Sequence, residues 1–339
     1  MIYDSLIIGG GLAGLVCGIR CVSSGLRTAI ISGGMNSLHF SSGSIDIAGY
    51  SPEGKIIRKP FDYLKQTIKE NRGHPYAKTG MRTIRKSIKF ITEILEGQNI
   101  RLNHNSDYNH FHITALGTLK PTYLSQESVF SSGVKDILHS GEKIAILNFE
   151  GFRDYYPEQT AVNIKKHSLF RNREIMMGNI SLPYYLETER NIHEFRSVDI
   201  ARIFETERYL PRIAEEIKKA SPGAVAVSLP AFIGINNYSA IRKKLCEMTG
   251  KFIYEIPVLP PSILGLRIDH ALKNSFISLG GEYIAGDKAV SGSITNNCVE
   301  FLSTSNSGNV PLNSRFYVLA TGSFFSGGIT AGYDRISEP

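Results

Sequence analysis

Six residues near the amino terminus, Gly9-Gly10-Gly11-Leu12-Ala13-Gly14, constrain the fold more than any other part of this chain. They form a G-x-G-x-x-G, and what lies on either side gives the spacing its meaning. Tyr3 to Ile8 is a short apolar run that predicts a strand buried on both faces. Leu12, Leu15, Val16, Ile19 and Val22 recur at helical spacing through Ser24, Gly25 follows as a C-cap, and Thr28 to Ile31 predicts a second strand. Residues 3 to 31 thus read as one βαβ unit. Each glycine has a mechanical role: Gly9 permits the tight turn, Gly11 lets backbone approach a phosphate, and Gly14 lets the helix pack closely on the strand. A nucleotide phosphate is then expected at the helix N-terminus, where unpaired N–H groups and the macrodipole favour an anion. The offsets turn a common glycine-rich turn into a dinucleotide or flavin site lined by Gly9, Gly11, Leu12, Ala13 and Gly14.

One expected part is missing. About 20 residues past the glycines a carboxylate normally meets the adenosine ribose, but Ser32-Gly33-Gly34 stands there. Either Ser32 makes a weaker neutral contact, or the cofactor has no adenosine and is FMN; FAD stays as the alternative. Val318-Leu319-Ala320-Thr321-Gly322 predicts a buried strand returning beside the first unit, with Thr321 and Gly322 against the cofactor. Such a late return favours a flavin over a simple nicotinamide enzyme, whose nucleotide domain is normally continuous. The loop Ser37 to Ile45 follows the second strand, and His39, Ser41, Ser42, Gly43 and Ser44 are candidates to line the isoalloxazine ring and tune it.

With 339 residues, one two-lobed domain or two domains is expected. Pro60 opens a helix to about Asn71, and Ile84, Ile88, Ile91 and Leu95 mark another. Strand and helix alternate again from Ile144: a strand to Phe149, helices over Glu158 to His167 and Ile203 to Lys219, and a strand over Ala224 to Ile233. Ile268 to Leu279 reads as a helix, and Ser293 to Leu302 as a hairpin turning at Asn296-Asn297. The fold class is therefore α/β, a Rossmann-like two-dinucleotide-binding-domain flavoprotein with a second α/β lobe. The flavin domain is expected to be discontinuous, 1–75 with 265–339, around an inserted substrate or cap region, 76–264, whose α/β lobe begins near 142.

Cys17, Cys21, Cys246 and Cys298 are too scattered for a metal or iron–sulfur site and read as reduced core residues. No segment reaches the roughly 18 apolar residues of a spanning helix. The formal charge of +7 is compatible with an anionic substrate, an acidic partner, a bilayer face or solubility alone. No nucleic-acid-binding module is visible. Arg267 and His270 are candidates for holding a substrate phosphate or moving a proton, against the plainer readings of a surface ion pair and a capping histidine. His74, Arg196 and Arg202 have similar status.

The segments IIGGGLAGLVCG, LHFSSGSIDI, HPY at His74 to Tyr76, LGTL at Leu116 to Leu119, LPPSILGLRI at Leu259 to Ile268 and ATGSFFSGG at Ala320 to Gly328 carry a family likeness. Together they resemble, along the whole chain, the family formed by the B subunits of anaerobic glycerol-3-phosphate dehydrogenase. That resemblance implies oxidation of sn-glycerol 3-phosphate to dihydroxyacetone phosphate, with electrons passed to quinone. It implies FMN as cofactor and, as partners, a second flavin subunit (A) and an iron–sulfur membrane-anchor subunit (C). Localisation is then the cytoplasmic face of the inner membrane, peripheral through those partners. The resemblance names no base; His39 and His270 are the candidates to accept the hydroxyl proton, with Arg267 as a third catalytic candidate. Family members continue past Pro339 through a further glycine-rich segment, so the chain reads as C-terminally truncated. The rival expectations are a non-catalytic electron-transfer or scaffold subunit, and an unrelated flavin dehydrogenase of the fumarate-reductase type.

Overall fold

A computed structural model describes residues 2–130, 141–306 and 310–338. Contacts divide the chain into two compact units, Met1–Phe40 with Ile268–Pro339, and Ser41–Arg267. Sequence reading set the limits at 75/76 and 264/265; the contacts set them at 40/41 and 267/268.

In the first unit, β1 (Ile2–Ile8), α1 (Leu12–Ser23) and β2 (Thr28–Ser32) form the βαβ unit. β1 is central in a parallel sheet ordered Glu282–Ala285, β2, β1, Asn313–Leu319. Central position explains its apolar run: Leu6 and Ile7 are fully buried, and all five residues of β2 are buried. Gly25, at φ +81°, lies just past the helix end and adopts the left-handed conformation that stops it. Helix α1 lays Gly14, Leu15, Gly18 and Ile19 inward. A Cβ on Gly18 would stand 2.7 Å from Ile30 and 2.9 Å from Phe276, so a small residue is what allows this packing. Strand Asn313–Leu319 lies beside β1 in register Ile8↔Leu319. It is more exposed than the sequence suggested, with Phe316 and Leu319 over half accessible, because it is the edge strand of this sheet. The hairpin Ala289–Thr295/Cys298–Thr304 turns at Asn296 and Asn297, both at positive φ, as the Asn-Asn pair predicts. Cys298 is exposed there rather than in a core.

The second unit has its own four-stranded parallel sheet in the order Ile175–Ile180, Ile144–Phe149, Ala226–Pro230, Phe252–Ile256. Numbered along the chain, that order is 2-1-3-4, which is doubly wound. Helix Pro157–Ile164 joins the first two strands, and helices Leu210–Ala220 and Tyr238–Thr249 pack together. The continuous helix expected over Ile203 to Lys219 is broken into Ser197–Phe204, a 3₁₀ turn Glu207–Tyr209 and Leu210–Ala220. Pro211 is the reason: it has no N–H to continue an earlier helix, yet fits the first turn of a new one. The last long helix begins at Ile263, five residues before the expected Ile268. No helix among the described residues is long and apolar enough to cross a membrane.

Candidate cofactor and acid–base site

The glycine turn in the first unit is built as its spacing requires. Gly9 has φ +118°, and a Cβ there would stand 2.1 Å from the Ala320 carbonyl oxygen. Strand Asn313–Leu319 thus delivers Thr321-Gly322 directly onto the turn, and Gly322 itself has φ +90°. A Cβ on Gly14 would stand 1.8 Å from the Gly9 carbonyl oxygen, so helix and turn touch backbone to backbone. Gly11 differs, because the nearest atom to a Cβ there is Asn36 Cβ at 3.8 Å. Packing does not demand a glycine at position 11, and the space a Cβ would take there is open. Helix α1 starts at Leu12 with Gly11 as N-cap, no side-chain cap and no acid in its first turn, and Leu12 and Ala13 are exposed. That open, positive helix end suits a phosphate group.

Ser32 does not stand in for the absent carboxylate. It is buried beneath the turn, with Oγ donating to Gly34 O at 3.4 Å and lying 2.5 Å from a Cβ placed on Gly10.

A polar network that sequence reading missed adjoins the turn. Asn36 Nδ2 donates to Gly10 O at 2.9 Å and to Asp269 Oδ1 at 2.7 Å. His39, on the 3₁₀ turn Ser37–Phe40, places Nε2 at 3.0 Å from Asp269 Oδ2, and Lys273 Nζ donates to that same oxygen at 2.7 Å. Asp269 is 1% exposed. Burial opposes ionisation of its carboxyl, but hydrogen bonds from His39, Lys273 and Asn36 outweigh it and hold the group below the usual carboxylate range. Burial likewise opposes the charge on Lys273, and Asp269 more than offsets it, raising the ammonium above its usual range. With Nε2 turned to Asp269, His39 Nδ1 has no hydrogen-bond partner among the described residues. An imidazole oriented by a buried carboxylate is the arrangement that accepts and returns a proton. The one available signal in sequence was the Asp269/Lys273 spacing of four on a helix; Asn36 and Asp269 lie 233 residues apart.

The other candidates scatter. Arg267 belongs to the second unit and is spent inside it, which corrects its assignment to a substrate phosphate. Its Nη1 and Nη2 reach Glu255 at 2.6 and 2.9 Å, Nε donates to Gly234 O at 2.9 Å, and its guanidinium carbon sits 4.1 Å from the Tyr238 ring centroid. Both partners of the ion pair are fully buried, so it is not a surface pair either. Burial opposes the Glu255 charge, and Arg267 overcomes it, leaving the carboxyl below its usual range. His270 is half-buried on the helix Ile263–Ser278. His74 caps its own short helix, with Nδ1 accepting from the Tyr76 amide at 3.1 Å. Ser41, Ser42 and Gly43 open the second unit. Ser42 and Ser44 accept from Lys120 Nζ at 3.2 and 3.0 Å. Gly43 has φ +66°, with Leu264 and Gln126 closing on the space a Cβ would take.

Comparison with known proteins gives the chain a family. Residues 4–339 match the family model described as an FAD binding domain. The B subunit of anaerobic glycerol-3-phosphate dehydrogenase from Aliivibrio fischeri strain ES114 is 36% identical over all of this chain and 77% of its own length. The protein of the same name from Vibrio cholerae serotype O1 is 35% identical over all of this chain and 77% of its own, and that of Actinobacillus pleuropneumoniae serotype 5b is 36% identical over 100% and 79%. Among solved structures, 3-ketosteroid Δ1-dehydrogenase from Sterolibacterium denitrificans is 13% identical, covers 95% of this chain and 48% of its own, and has a TM-score of 0.39. Glycine oxidase from Bacillus cereus is 12% identical, covers 96% and 56%, and has a TM-score of 0.33.

Proposed function

The chain belongs to the FAD binding domain family and to the family of anaerobic glycerol-3-phosphate dehydrogenase B subunits, and from that premise we propose that it binds FAD and oxidises sn-glycerol 3-phosphate to dihydroxyacetone phosphate within a multi-subunit complex. The sequence-based preference for FMN is thereby replaced, since it rested on the missing ribose carboxylate and the family model is that of an FAD domain. In this reading a second flavin subunit and an iron–sulfur subunit are its partners, electrons go on to quinone, and the complex sits peripherally on the cytoplasmic face of the inner membrane.

The observation that carries the catalytic part is the His39–Asp269 pair, linked through Asn36 to the glycine turn. Bare amides of the turn and first helical residues would hold the cofactor pyrophosphate, with Thr321 and Gly322 closing over Gly9. Bound flavin supplies the hydride acceptor for the secondary alcohol carbon. His39 takes the hydroxyl proton through Nδ1, while Asp269 fixes the ring and stabilises the imidazolium that forms. Lys273 keeps the Asp269 carboxylate charged throughout.

Purified chain reconstituted with FAD and assayed with glycerol 3-phosphate and an artificial acceptor tests this. His39→Gln is expected to lower kcat by about 10²-fold or more with little change in FAD affinity. Asp269→Asn should lower kcat less and change its pH profile. Absence of turnover in the FAD-loaded wild-type chain, or full activity in His39→Gln, would refute the catalytic assignment.

A further inference from the structure

The excess of basic residues is concentrated in one part of the second unit. Residues 55 to 89 hold eleven Lys and Arg against two Asp and Glu, a net charge of +9 where the whole chain carries +7. All eleven basic side chains are exposed. Folding gathers them on one surface. Helices Pro60–Glu70 and Met81–Gly97, with the short helix Pro75–Thr79 between them, lay Phe61, Leu64, Ile84 and Ile88 on a shared apolar cluster with Tyr123 and Leu124. On Met81–Gly97, Arg82, Arg85, Lys86 and Lys89 recur at i, i+3, i+4 and i+7, a stripe turned away from the buried Ile84, Ile91 and Leu95.

The stripe runs on to a hairpin. Arg85 Nη1 lies 3.1 Å from Asp107, Lys59 Nζ lies 5.0 Å from the ring centroid of the adjacent Tyr108, and the Asn109 amide donates to Arg58 O at 2.8 Å. Tyr50 and Ile56 pair across that hairpin, with Lys55 in its turn. Tyr50, Ile56 and Tyr108 are all exposed, large side chains set among Lys55, Arg58 and Lys59. Asp62, Asp107 and Glu93 offset Lys65, Arg85 and Lys89, and Glu53, Glu70 and Glu96 are the other carboxylates on these segments, so the surface stays positive. Charge spread over three helices and a hairpin, rather than gathered round one point, suits a laterally continuous anion. Roughly four to eight Lys or Arg on one helical surface are enough to hold an anionic leaflet. Aromatic and aliphatic side chains between such residues settle into a headgroup layer, which favours lipid over an acidic protein.

We propose that this face of the second unit docks directly on an anionic bilayer, its Lys and Arg meeting phospholipid headgroups while Tyr50, Ile56 and Tyr108 enter the headgroup layer. The contact is peripheral and the chain's own. It rests on the function proposed above only for which membrane is meant, since it needs neither flavin nor turnover. Co-sedimentation of the full chain with vesicles of mixed phosphatidylglycerol and phosphatidylcholine, against vesicles of phosphatidylcholine alone, tests it. Binding is expected to the mixed vesicles only, and it should fall as salt rises. Lys78→Gln/Arg82→Gln/Lys86→Gln should bind at least tenfold more weakly, with FAD affinity and unfolding midpoint unchanged because all three side chains are exposed. Lys218→Gln/Lys219→Gln/Lys243→Gln removes the same charge from other exposed helical positions of this unit and should bind like wild type. No binding to the mixed vesicles, equal binding to both kinds, or equal losses in the two triple variants overturns the proposal. So does retention of the chain on polyglutamate without vesicle binding, which would mark an acidic protein as the partner. A failure of turnover bears on the His39 assignment alone.

Discussion

Replacing Gly11 and Gly14 separately by alanine distinguishes a glycine kept for packing from one kept for a ligand. At Gly14 the new methyl carbon would stand 1.8 Å from the Gly9 carbonyl oxygen, whereas an ordinary contact needs well over 3 Å. The obstacle is backbone and cannot rotate away, so α1 must retreat from β1. Overpacking of this kind costs about 1–3 kcal/mol, and more when backbone must move. Against it stands the gain of roughly 1 kcal/mol for alanine over glycine inside a helix. A net loss of about 2 kcal/mol in the cofactor-free protein is therefore expected for Gly14→Ala, with FAD affinity falling as the turn deforms. Gly11 gives the opposite pattern. Its added carbon meets nothing closer than 3.8 Å, and its φ of −85° suits any residue, so the cofactor-free protein should lose under about 1 kcal/mol, the cost of a poorer N-cap. If the cofactor phosphate lies against the turn as proposed, the same carbon intrudes on it, and FAD affinity should fall at least tenfold, about 1.4 kcal/mol. Denaturant unfolding without cofactor, paired with fluorimetric FAD titration, reads both quantities. The reasoning fails if Gly11→Ala binds FAD like wild type, or if Gly14→Ala unfolds at the wild-type midpoint.

Two further outcomes concern stability of the second unit. Arg267→Ala should cost about 3–5 kcal/mol because it strands the Glu255 charge in the interior, while Arg267→Met/Glu255→Leu should be far milder; comparable losses in both, measured by urea unfolding, would contradict the ion-pair account. Burial pushes His110 and His112 each down to about 4, and both ring nitrogens of His112 lack partners. Because the unfolded chain binds these protons more readily, the stability is complete above about pH 6.5 and is lost as pH falls toward 4, by at most roughly 3 kcal/mol for each ring. His112→Leu should flatten that decline, and an unfolding midpoint independent of pH across this window would rule the explanation out.

The amino-terminal βαβ unit was legible from residues 3 to 31 because every interaction that shapes it is local: apolar runs make strands, helical spacing makes α1, and glycines at three offsets leave no other turn. The Asn296-Asn297 hairpin was readable for the same reason. Legibility ended where partners are remote. Nothing in the local pattern around Arg267 distinguished a phosphate ligand from a buried strut, since the deciding carboxylate, Glu255, sits on the strand Phe252–Ile256 and not on the helix that carries Arg267. Asp269 passed unnoticed between two candidate residues, although it is the group that orients His39 from 230 positions away. Short-range sterics and periodicity are written residue by residue, and so the chain alone determined its glycine turn. Which charges meet, which are buried and which face a ligand depends on distances that exist only after folding, and the tertiary structure alone decided them.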